Sequence, residues 1–364
     1  MSYVLMRFMI VCLLVCGWQS VLLAKQPIAA ENLANSAELG SPPTSPDTNP
    51  DQLFAFTTKQ TAIPLAEPPV SPELRGSVVD FYENVFLPAL SVPMAWTGDA
   101  SSCDAGTTSQ AYIDASFAVI NYYRAMVNLQ PVINDIPNNA ATQEAALMMS
   151  VNNSLSHEPP QSWTCYTSNG ATAAGSSNIA LGAAGPRAIA LYIKDPGVNN
   201  TAVGHRRWIL HPPRSSFGIG SVGGATRDAN VLWVFAGTSS RPSTDIVAWP
   251  PRGFVPYQVV YPRWSFSLNS EPKADYSQAN VSMIEDGVPI DLKIVSSNST
   301  NYGDNTLIWT PSGLGFSAGQ LDRVFDIEIS NVRKTGQDVY TYKVTIIDPA
   351  MEVPVPGIFA DSFE

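Results

Sequence analysis

Apolar residues follow a helical period in the first half of this chain. In 111–129, Ile113 and Phe117 begin a run of apolar side chains three to four residues apart, which places them on one face of an α-helix. A second segment, 139–155, is rich in Ala and Met, and a third, 188–194, is ended by a nearby proline. We predict a helix in each of these three segments.

The pattern changes to short β-like runs after Pro213. Residues 217–223 and 230–237 are predicted strands, and beyond them every apolar run is short and separated from the next by a turn signal such as an Asp-Gly pair. About a hundred residues of this kind are typical of a β-sandwich. We therefore expect an all-β, Ig-like sandwich over 244–350, in which the sequence shows no catalytic cluster.

Residues 1–24 have the pattern of a secretory signal. One early basic residue precedes an apolar run that ends at Cys16, and a second short apolar stretch ends at Ala24, where we expect cleavage. A membrane anchor is the alternative, but Gly17 and two polar residues interrupt the run. Lipidation of Cys16 is less favoured, because Val15 is larger than the small residue that usually precedes a lipidated cysteine. We expect a secreted protein, extracellular or periplasmic, with cell-envelope association left open.

The segments that flank the predicted domains differ in composition. Residues 25–74 are rich in Pro, Ser and Thr and bury too little apolar surface to offset chain entropy, so we expect a flexible spacer. Residues 75–102 begin with apolar positions at mixed helical spacing and are predicted as a short helical lead-in that docks on the following domain. Residues 351–364 are expected to form a short C-terminal tail.

Two of the four cysteines belong to the leader. Cys103 and Cys165 remain, and an even count in an exported chain favours one disulfide between them. A bridge that closes a loop of roughly sixty residues contributes about 4 kcal/mol in the chain-entropy model. Because paired thiols cannot act as nucleophiles, a catalytic cysteine is not expected.

The charge balance limits the classes of partner. The formal net charge is -11, and the few basic residues form no long cluster, so the field of the protein opposes phosphate and we expect no nucleic-acid partner. With 45% hydrophobic residues over 364 positions, the chain can bury a sizeable core, which favours two domains. We expect no stable membrane span after removal of the signal.

Few motifs with a known chemistry occur. Gly218, Gly220 and Gly223 have the G-x-G-x-x-G spacing, but the sequence after them is typical of a turn and a strand, whereas a dinucleotide site needs a helix there. Close backbone packing of a strand explains these glycines better. No G-x-S-x-G, H-E-x-x-H or C-x-x-C motif is present. Three histidines remain, of which His211 precedes two prolines and is interpreted as a turn residue.

Seven short pieces of sequence are informative as a set. In chain order they are Asn121-Tyr122-Tyr123-Arg124-Ala125, Leu129-Gln130-Pro131-Val132, Ala145-Ala146 with Met148-Met149, Leu155-Ser156-His157, Ser177-Asn178-Ile179-Ala180, Gly204-His205-Arg206 and Phe217-Gly218-Ile219-Gly220. Together they resemble the CAP superfamily (cysteine-rich secretory, antigen 5 and pathogenesis-related proteins), most closely its bacterial SCP-domain branch. The resemblance implies an α+β fold class, in which a CAP-type α-β-α sandwich with a central cleft covers 103–243 and the β-sandwich follows.

The resemblance also implies a site, because family members carry two histidines and two acidic residues that hold a divalent cation. His157 matches the first histidine and His205 the second, which makes them the candidate ligands of Zn²⁺ or a similar ion. Ser177 stands where the family has a glutamate, and a hydroxyl is not an anionic ligand. The nearest carboxylates are Asp195, ten residues before His205, and Glu158, beside His157.

His157, His205, Asp195 and Ser177 therefore make up the predicted ligand site. Ser177, His205 and Asp195 also have the residue types of a serine-type triad, although serine occurs throughout the chain. The structural alternative is that both histidines hydrogen-bond to the backbone and knit the helices together. Residues 206–208 are interpreted as a turn with its charged side chains outside.

The missing glutamate favours binding over catalysis, because metal-dependent hydrolysis needs an acid or base of suitable pKa beside the metal. We expect a secreted CAP-domain protein that binds a small apolar ligand, a divalent cation or a cell-envelope component without catalysis. A metal-dependent hydrolase or protease that uses the same histidines with a carboxylate is the first alternative. A purely structural surface protein is the second, since a fold of this kind does not settle function.

Overall fold

The computed structural model describes residues 37–45, 69–298 and 300–352. The predicted signal peptide, most of the Pro/Ser/Thr-rich segment and nearly all of the C-terminal tail lie outside these residues. Across the described ranges, no helix has both the length and the apolar character that a membrane crossing requires.

Helices dominate the first part of the described chain. The α-helices are α1 Arg75–Phe81, α2 Leu87–Ala89, α3 Gln110–Met126, α4 Ile136–Asn152, α5 Ser168–Gly175, α6 Gly185–Lys194 and α7 Gly204–Ile209. Helices α3, α4 and α6 confirm the three predicted helices with ends shifted by up to three residues. The lead-in is helical through α1, a π-helical turn over Tyr82–Phe86 and α2, and after Leu90 it continues to residue 102 without a further helix or strand. Helices α5 and α7 were not predicted, because they are short and rich in glycine or arginine.

Polar side chains fix where these helices begin and end. The hydroxyl of Ser109 accepts a hydrogen bond from the backbone N–H of Tyr112 at 3.2 Å and caps α3. The hydroxyl of Thr167 does the same for α5 through Gly170 at 2.9 Å. Helix α6 ends at Asp195, which has a φ of 50° in the left-handed region that Asp tolerates. This ending brings the Asp195 carboxylate to the start of α7.

The first sheet contains five strands. They are β1 Glu38–Leu39, β2 Ile133–Asn134, β3 Ser177–Leu181, β4 Arg214–Val222 and β5 Ala229–Thr238. Their spatial order is β1-β3-β5-β4-β2, in which β2 is parallel to β4 and the other neighbours are antiparallel. Strands β4 and β5 confirm the two strands predicted over 217–223 and 230–237.

This sheet lies between two layers of helices. Ile179 and Val231 pack with α4 and α5 on one face, whereas Ala180 and Leu232 belong to the core that contains α3 and α6 on the other face. Neighbouring residues of one strand thus face opposite layers, as the two-residue period of a strand requires. The expected α-β-α sandwich is confirmed.

The glycines of β4 allow α4 to approach the sheet closely. A Cβ at Gly220 would lie 2.3 Å from the backbone nitrogen of Gln143 and 2.4 Å from the carbonyl oxygen of Thr142. A Cβ at Gly218 would lie 2.8 Å from the Cβ of Asn138. Backbone packing therefore explains the G-x-G spacing, and the strand that follows it confirms that no dinucleotide fingerprint is present.

The remainder of the chain is all β. Its strands are β6 Ile246–Trp249, β7 Gly253–Pro256, β8 Trp264–Leu268, β9 Asn280–Glu285, β10 Val288–Pro289, β11 Leu292–Ser297, β12 Thr306–Pro311, β13 Arg323–Ser330 and β14 Val339–Ile347. One sheet has the order β10-β9-β13-β14-β7 and the other β11-β12-β8-β6. Trp264 of one sheet packs edge-on against Phe325 of the other, with ring centroids 5.9 Å apart. We call the described residues that follow Thr238 the β part, and we call residues 75–238 the α/β part.

The two parts share one continuous hydrophobic core. Tyr123 of α3 packs edge-on against Trp249 with ring centroids 4.9 Å apart, and its hydroxyl is 2.8 Å from the hydroxyl of Tyr261. The lead-in, which begins the α/β part, packs on α3 through Phe81, whose ring stacks on Tyr122 at 5.0 Å, while the Arg75 side chain reaches the β part. The parts are therefore packed together rather than joined only by a linker.

Residues 37–45 lie against the first sheet, and we call them the strap. Within it, β1 pairs with the outer side of β3, and the side chains of Pro42 and Pro43 are buried. The expectation of a flexible spacer over 25–74 does not hold for these nine residues. Composition did not reveal the strap, because its attachment uses backbone groups and two prolines that also occur in spacers.

Candidate functional site

Asp195 and His205 form a fully buried pair at the junction of α6 and α7. The Nδ1 of His205 donates to Oδ1 of Asp195 at 2.8 Å. The backbone N–H groups of His205 and Arg206 donate to Oδ2 at 2.9 and 3.3 Å. The carboxylate therefore caps the first turn of α7 and fixes the orientation of the imidazole ring.

The other ring nitrogen of His205 is unsatisfied. Its Nε2 has no hydrogen-bond partner within the described part of the chain. Asp195 accepts a hydrogen bond from Nδ1–H, so in the neutral ring it is Nε2 that carries the lone pair. The ring of Tyr192 stacks on the imidazole at a centroid distance of 5.6 Å, and its hydroxyl donates to Asn230 Oδ1 at 2.9 Å. His205 is thus a rigidly held imidazole with one buried acceptor.

A strained residue precedes this histidine. Val203 has a φ of 44°, in the left-handed region that β-branched residues rarely adopt, and its side chain is fully buried. Such a conformation costs about 1–3 kcal/mol and persists only where the surrounding packing determines it. Here it turns the chain sharply into α7 and fixes the position of Gly204 and His205.

His157 lies in the loop between α4 and α5. Its Nδ1 is 2.7 Å from the carbonyl oxygen of Ala174, and its Nε2 is 2.5 Å from that of Ser41 in the strap. A neutral imidazole has one N–H and donates to only one of these acceptors, whereas an imidazolium donates to both. Both nitrogens of His157 are therefore directed at backbone oxygens.

Two prolines carry the strap to the start of α7. Pro42 lies against Gly204, where an added Cβ would come within 2.4 Å of Pro42 Cγ. The carbonyl oxygen of Pro43 accepts a hydrogen bond from the indole N–H of Trp208 at 2.8 Å. Because Gly204 directly precedes His205, the strap spans the surface between the two predicted cleft residues.

Ser177 and Glu158 do not complete a catalytic set. The buried hydroxyl of Ser177 donates to the carbonyl oxygen of Ala173 at 2.6 Å, and Glu158 is exposed. Since His205 Nε2 has no partner in the described ranges, Ser177 and His205 are not hydrogen-bonded to each other. The triad of Ser177, His205 and Asp195 is not assembled in this structure.

The resemblance implies a divalent cation, but too few of the described side chains with metal-binding atoms lie together at this site. Among the described residues, no group of three or more His, Cys, Asp or Glu side chains could hold a metal ion. His205 Nε2 offers one lone pair, whereas both nitrogens of His157 face carbonyl oxygens. A zinc site needs at least three protein ligands. With the strap in place the described residues do not fit a divalent cation.

Residues 206–208 are a correction to the sequence interpretation, because they are buried in α7 instead of forming an exposed turn. The guanidinium of Arg206 donates to the carbonyl oxygens of Ile193 at 2.7 Å and Arg263 at 2.8 Å, so it links the α/β part to the β part. Burial lowers the pKa of Arg206 to about 10. The signal was present in the sequence as two arginines inside an apolar, aromatic run.

Arg124 organises the segment after α7 in the same way. Its fully buried guanidinium donates to four carbonyl oxygens at 2.8 to 3.1 Å, those of Gln130, Ile209, His211 and Arg214. Burial, and secondarily the charge of Arg214, lowers the pKa of Arg124 to about 9. Sequence analysis placed Arg124 in a motif but did not identify this role.

His211 takes part in an ion network with the β part. Its Nε2 lies 3.2 Å from Asp304 Oδ1, and Arg241 donates to both oxygens of Asp304 at 2.7 and 2.6 Å. Burial lowers the pKa of His211 to about 4, against the opposing charge of Asp304. Burial raises the pKa of Asp304, but His211 and Arg241 outweigh it and hold that pKa well below its usual value.

The predicted disulfide is confirmed. The sulfur atoms of Cys103 and Cys165 are bonded at 2.07 Å, and their Cα atoms are 5.1 Å apart. The bridge ties the segment before α3 to the loop before α5. It therefore braces the region from which His157 projects.

A separate cavity of about 240 Å³ lies beside the first residue of the strap. It is lined by Ala37, Leu90, Val92, Met94, Tyr112, Gly182, Ala183, Ala184, Pro186, Arg187 and Asp228. Most of this lining is apolar, with one cation and one carboxylate. None of the predicted site residues lines it.

The fold and the residue pattern agree with a comparison against known families. Residues 117–236 match the sequence model of the cysteine-rich secretory protein family, CAP, so the chain contains a CAP domain. No curated protein matches the chain.

Proposed function

We propose that this is an exported, non-catalytic binding protein whose ligand lies on the CAP domain in a cleft between His157 and His205. The observation that carries the proposal is the strap, a stretch of extended chain that already lies across this surface. His157 binds its backbone, Gly204 leaves room for Pro42, and Asp195 orients the buried ring of His205 behind this surface. Ser177 lies in β3 beside Asn178, whose side-chain amide donates to the carbonyl oxygen of His205 at 3.1 Å.

The side-chain chemistry favours binding over hydrolysis. His205 is held by a carboxylate and sealed from solvent, and His157 is engaged with two carbonyl oxygens. Within the described ranges neither ring is hydrogen-bonded to a nucleophile, and a general base must be within reach of the proton that it abstracts. We therefore place the metal-dependent hydrolase second, and the purely structural role third.

Of the three ligand classes expected, a cell-envelope component with an extended backbone fits best, because an extended chain already occupies the cleft. A small apolar ligand has a different candidate site, the cavity of about 240 Å³ beside Tyr112. Its volume is below the roughly 300–1,000 Å³ of typical ligand pockets. A small apolar ligand is therefore the second candidate for binding.

Export is proposed on two grounds. The leader over 1–24 has the pattern of a secretory signal. The disulfide between Cys103 and Cys165 is of the kind that persists in oxidising compartments.

The proposed function is tested with the purified full chain. Elemental analysis and mass spectrometry of extracted small molecules are followed by thermal shift measurements with Zn²⁺, myristate and soluble cell-wall fragments. We expect the cell-wall fragments to raise the Tm, as any ligand of the folded state does, and no turnover of peptide or ester substrates. Turnover that a folded His205→Gln variant loses would establish the hydrolase instead.

A further inference from the structure

We propose that the CAP-domain cleft is a groove for an extended, proline-containing peptide, and that the strap is the chain's own occupant of this groove. This inference rests on the proposed function and names its ligand class. A second peptide of the same kind binds when the strap is displaced. Three features of the described residues support it. They are a strand edge that only the strap covers among the described residues, a glycine that makes room for the ring of Pro42, and an indole N–H that donates to the carbonyl oxygen of Pro43.

The first feature is the edge of β3. The spatial order β1-β3-β5-β4-β2 makes β3 an edge strand as soon as β1 is removed. Glu38 and Leu39 pair with Leu181 and Ala180, and the N–H of Gly40 donates to the carbonyl oxygen of Ile179 at 3.2 Å. These are main-chain contacts, which any extended peptide makes when it adds a strand to an open sheet edge.

The second feature is Gly204. A Cβ at this position would lie 2.4 Å from Cγ and 2.7 Å from Cβ of Pro42, and 2.9 Å from Cγ of Tyr302. Its φ is not among the positive values, so the backbone itself would accept alanine. Space for a proline ring, rather than conformational freedom, thus requires glycine here. Tyr302 comes from the β part, so both parts of the molecule build the groove.

The third feature is a hydrogen-bond donor, the indole N–H of Trp208, that faces the carbonyl oxygen of the second proline. The indole N–H of Trp208 donates to the carbonyl oxygen of Pro43 at 2.8 Å, and the indole is itself buried. Consecutive prolines have a fixed φ and an extended backbone with unpaired carbonyl oxygens. Aromatic side chains that pack against prolines and donate to such carbonyls are a general mode of proline-rich recognition.

The strap is held through its backbone, its two prolines and the partly buried apolar side chains of Ala37 and Leu39. Ser41 and Thr44 are exposed, and the ion pair of Glu38 with Arg227 involves a carboxylate that is 65% exposed. His157 is hydrogen-bonded to the backbone carbonyl oxygen of Ser41 and not to its hydroxyl. A Cβ at Gly40 would lie 2.7 Å from Ile179 Cγ1, so another extended peptide that keeps the apolar residue, the glycine and the two adjacent prolines would make the same contacts and could replace the strap.

Tethering gives the strap an advantage over a free peptide. A segment of the same chain acts at a high effective concentration, often millimolar for a short flexible link. A peptide from another molecule can bind only the protein molecules in which the groove is open. Its apparent affinity is therefore the intrinsic affinity multiplied by the open fraction. The intact protein is therefore expected to bind such peptides weakly until the strap is cleaved or displaced.

The test compares two double variants of the full chain. Pro42→Asp with Pro43→Asp places two carboxylates in the buried part of the strap and unseats it. Ser41→Asp with Thr44→Asp adds the same charges at exposed positions of the same segment and serves as the matched control. Binding is measured by fluorescence anisotropy with the labelled peptide ELGSPPTS, the sequence of residues 38–45, and with ELGSAATS.

We expect the proline variant to bind ELGSPPTS at least about tenfold more tightly than the wild type and the control, as removal of a tethered competitor predicts. ELGSAATS should bind the opened variant at least about tenfold more weakly than ELGSPPTS, because it lacks the prolines that the groove fits. Adding Gly204→Ala to the opened variant should remove binding of ELGSPPTS. Adding Gly76→Ala, a helical site with no atom within 4 Å of the new Cβ, should not.

Two results would overturn the inference: an opened variant that binds ELGSPPTS no better than the wild type, or equal binding of the two peptides. Circular dichroism and Tm confirm that each variant is folded. If the opened variant takes up Zn²⁺, myristate or cell-wall fragments but not the peptide, the peptide groove is wrong and the proposed binding function stands. If it binds none of these probes, both fail.

Discussion

The strap and α7 both hold distant parts of this chain together, but they do so with different chemistry. The strap is attached by backbone pairing, one imidazole and one indole donor, and several of its side chains are exposed. In α7, the buried guanidinium of Arg206 reaches carbonyl oxygens on both sides of the boundary between the parts. Removal of the strap would leave a solvated surface, whereas removal of Arg206 would leave buried carbonyls unpaired.

This difference in chemistry makes the strap a contact that can be displaced, whereas the contacts of Arg206 in α7 are permanent in the folded protein. A buried polar group that loses its partner bears the full cost of desolvation, so the α7 interface is expected to open only with global unfolding. Backbone groups of the strap and of β3 regain water when they separate. Local opening therefore has a much lower free energy at the strap than at α7.

The largest expected effect is at Arg206. Arg206→Met keeps the apolar stem but leaves the carbonyls of Ile193 and Arg263 without their donor, and we expect a loss of about 3–5 kcal/mol in unfolding free energy. Urea unfolding measures it. The control is Arg252→Met, which breaks an ion pair at 3.7 Å on a 53% exposed side chain and should cost less than about 0.5 kcal/mol. Equal effects in the two variants would contradict the account of α7.

The next largest effect is the loss of unfolding free energy that acidification causes at the network of His211 and Asp304. The unfolded histidine takes up a proton near its ordinary pKa of 6.5, whereas the folded one does so only near pH 4. The unfolded state therefore binds more protons in this window, and stability falls as the pH falls from 6.5 to 4, on the order of 2–3 kcal/mol. Asp304 acts in the same direction, since its lowered pKa gives stability that is lost on further acidification.

Urea unfolding at several pH values between 7 and 4 measures this decline. His211→Asn keeps a donor for Asp304 but does not titrate, so its stability should decline less over the same range. Parallel curves for the variant and the wild type would show that His211 is not the responsible group.

The smallest global effect is expected at the strap. His157→Ala removes the ring nitrogens that face the carbonyl oxygens of Ser41 and Ala174, so the unfolding free energy should fall by about 1–2 kcal/mol. Proteolysis within 37–45 should accelerate several-fold. Ser41→Ala is the matched control, because only the carbonyl of Ser41 is used. Unchanged proteolysis in His157→Ala would remove that ring from the strap's attachment.

Much of the fold could be predicted from the sequence. The spacing of Ile113 and Phe117 is that of a helix face, and α3 has them there. The short runs after Asp-Gly and similar turn signals became the strands of the β part. Cys103 and Cys165 were the two cysteines outside the leader, so their bond followed from counting. These features are local or few in number, which is why one sequence was enough.

The arrangement at the histidines could not be predicted in the same way. Sequence analysis put Asp195 near His205, but the hydrogen bond between them depends on the turn at Val203, whose strained φ has no sequence signature. The burial of Arg206 depends on carbonyls of the β part, far along the chain. The strap has the composition of a spacer, and its position depends on pairing with the edge of β3, which lies far away in the sequence. Long-range partners, not local patterns, determine each of these.

Native-state hydrogen exchange tests the central claim most directly. The amides of Gly40, bonded to Ile179, and of Ser45, bonded to Asn301, report on the strap, while the amide of Leu210, bonded to Arg206, reports on α7. We predict that Gly40 and Ser45 exchange through a local opening, several kcal/mol below the free energy of global unfolding, whereas Leu210 exchanges only with global unfolding. Equal protection of all three amides would contradict the account, because the strap would then be as permanent as α7.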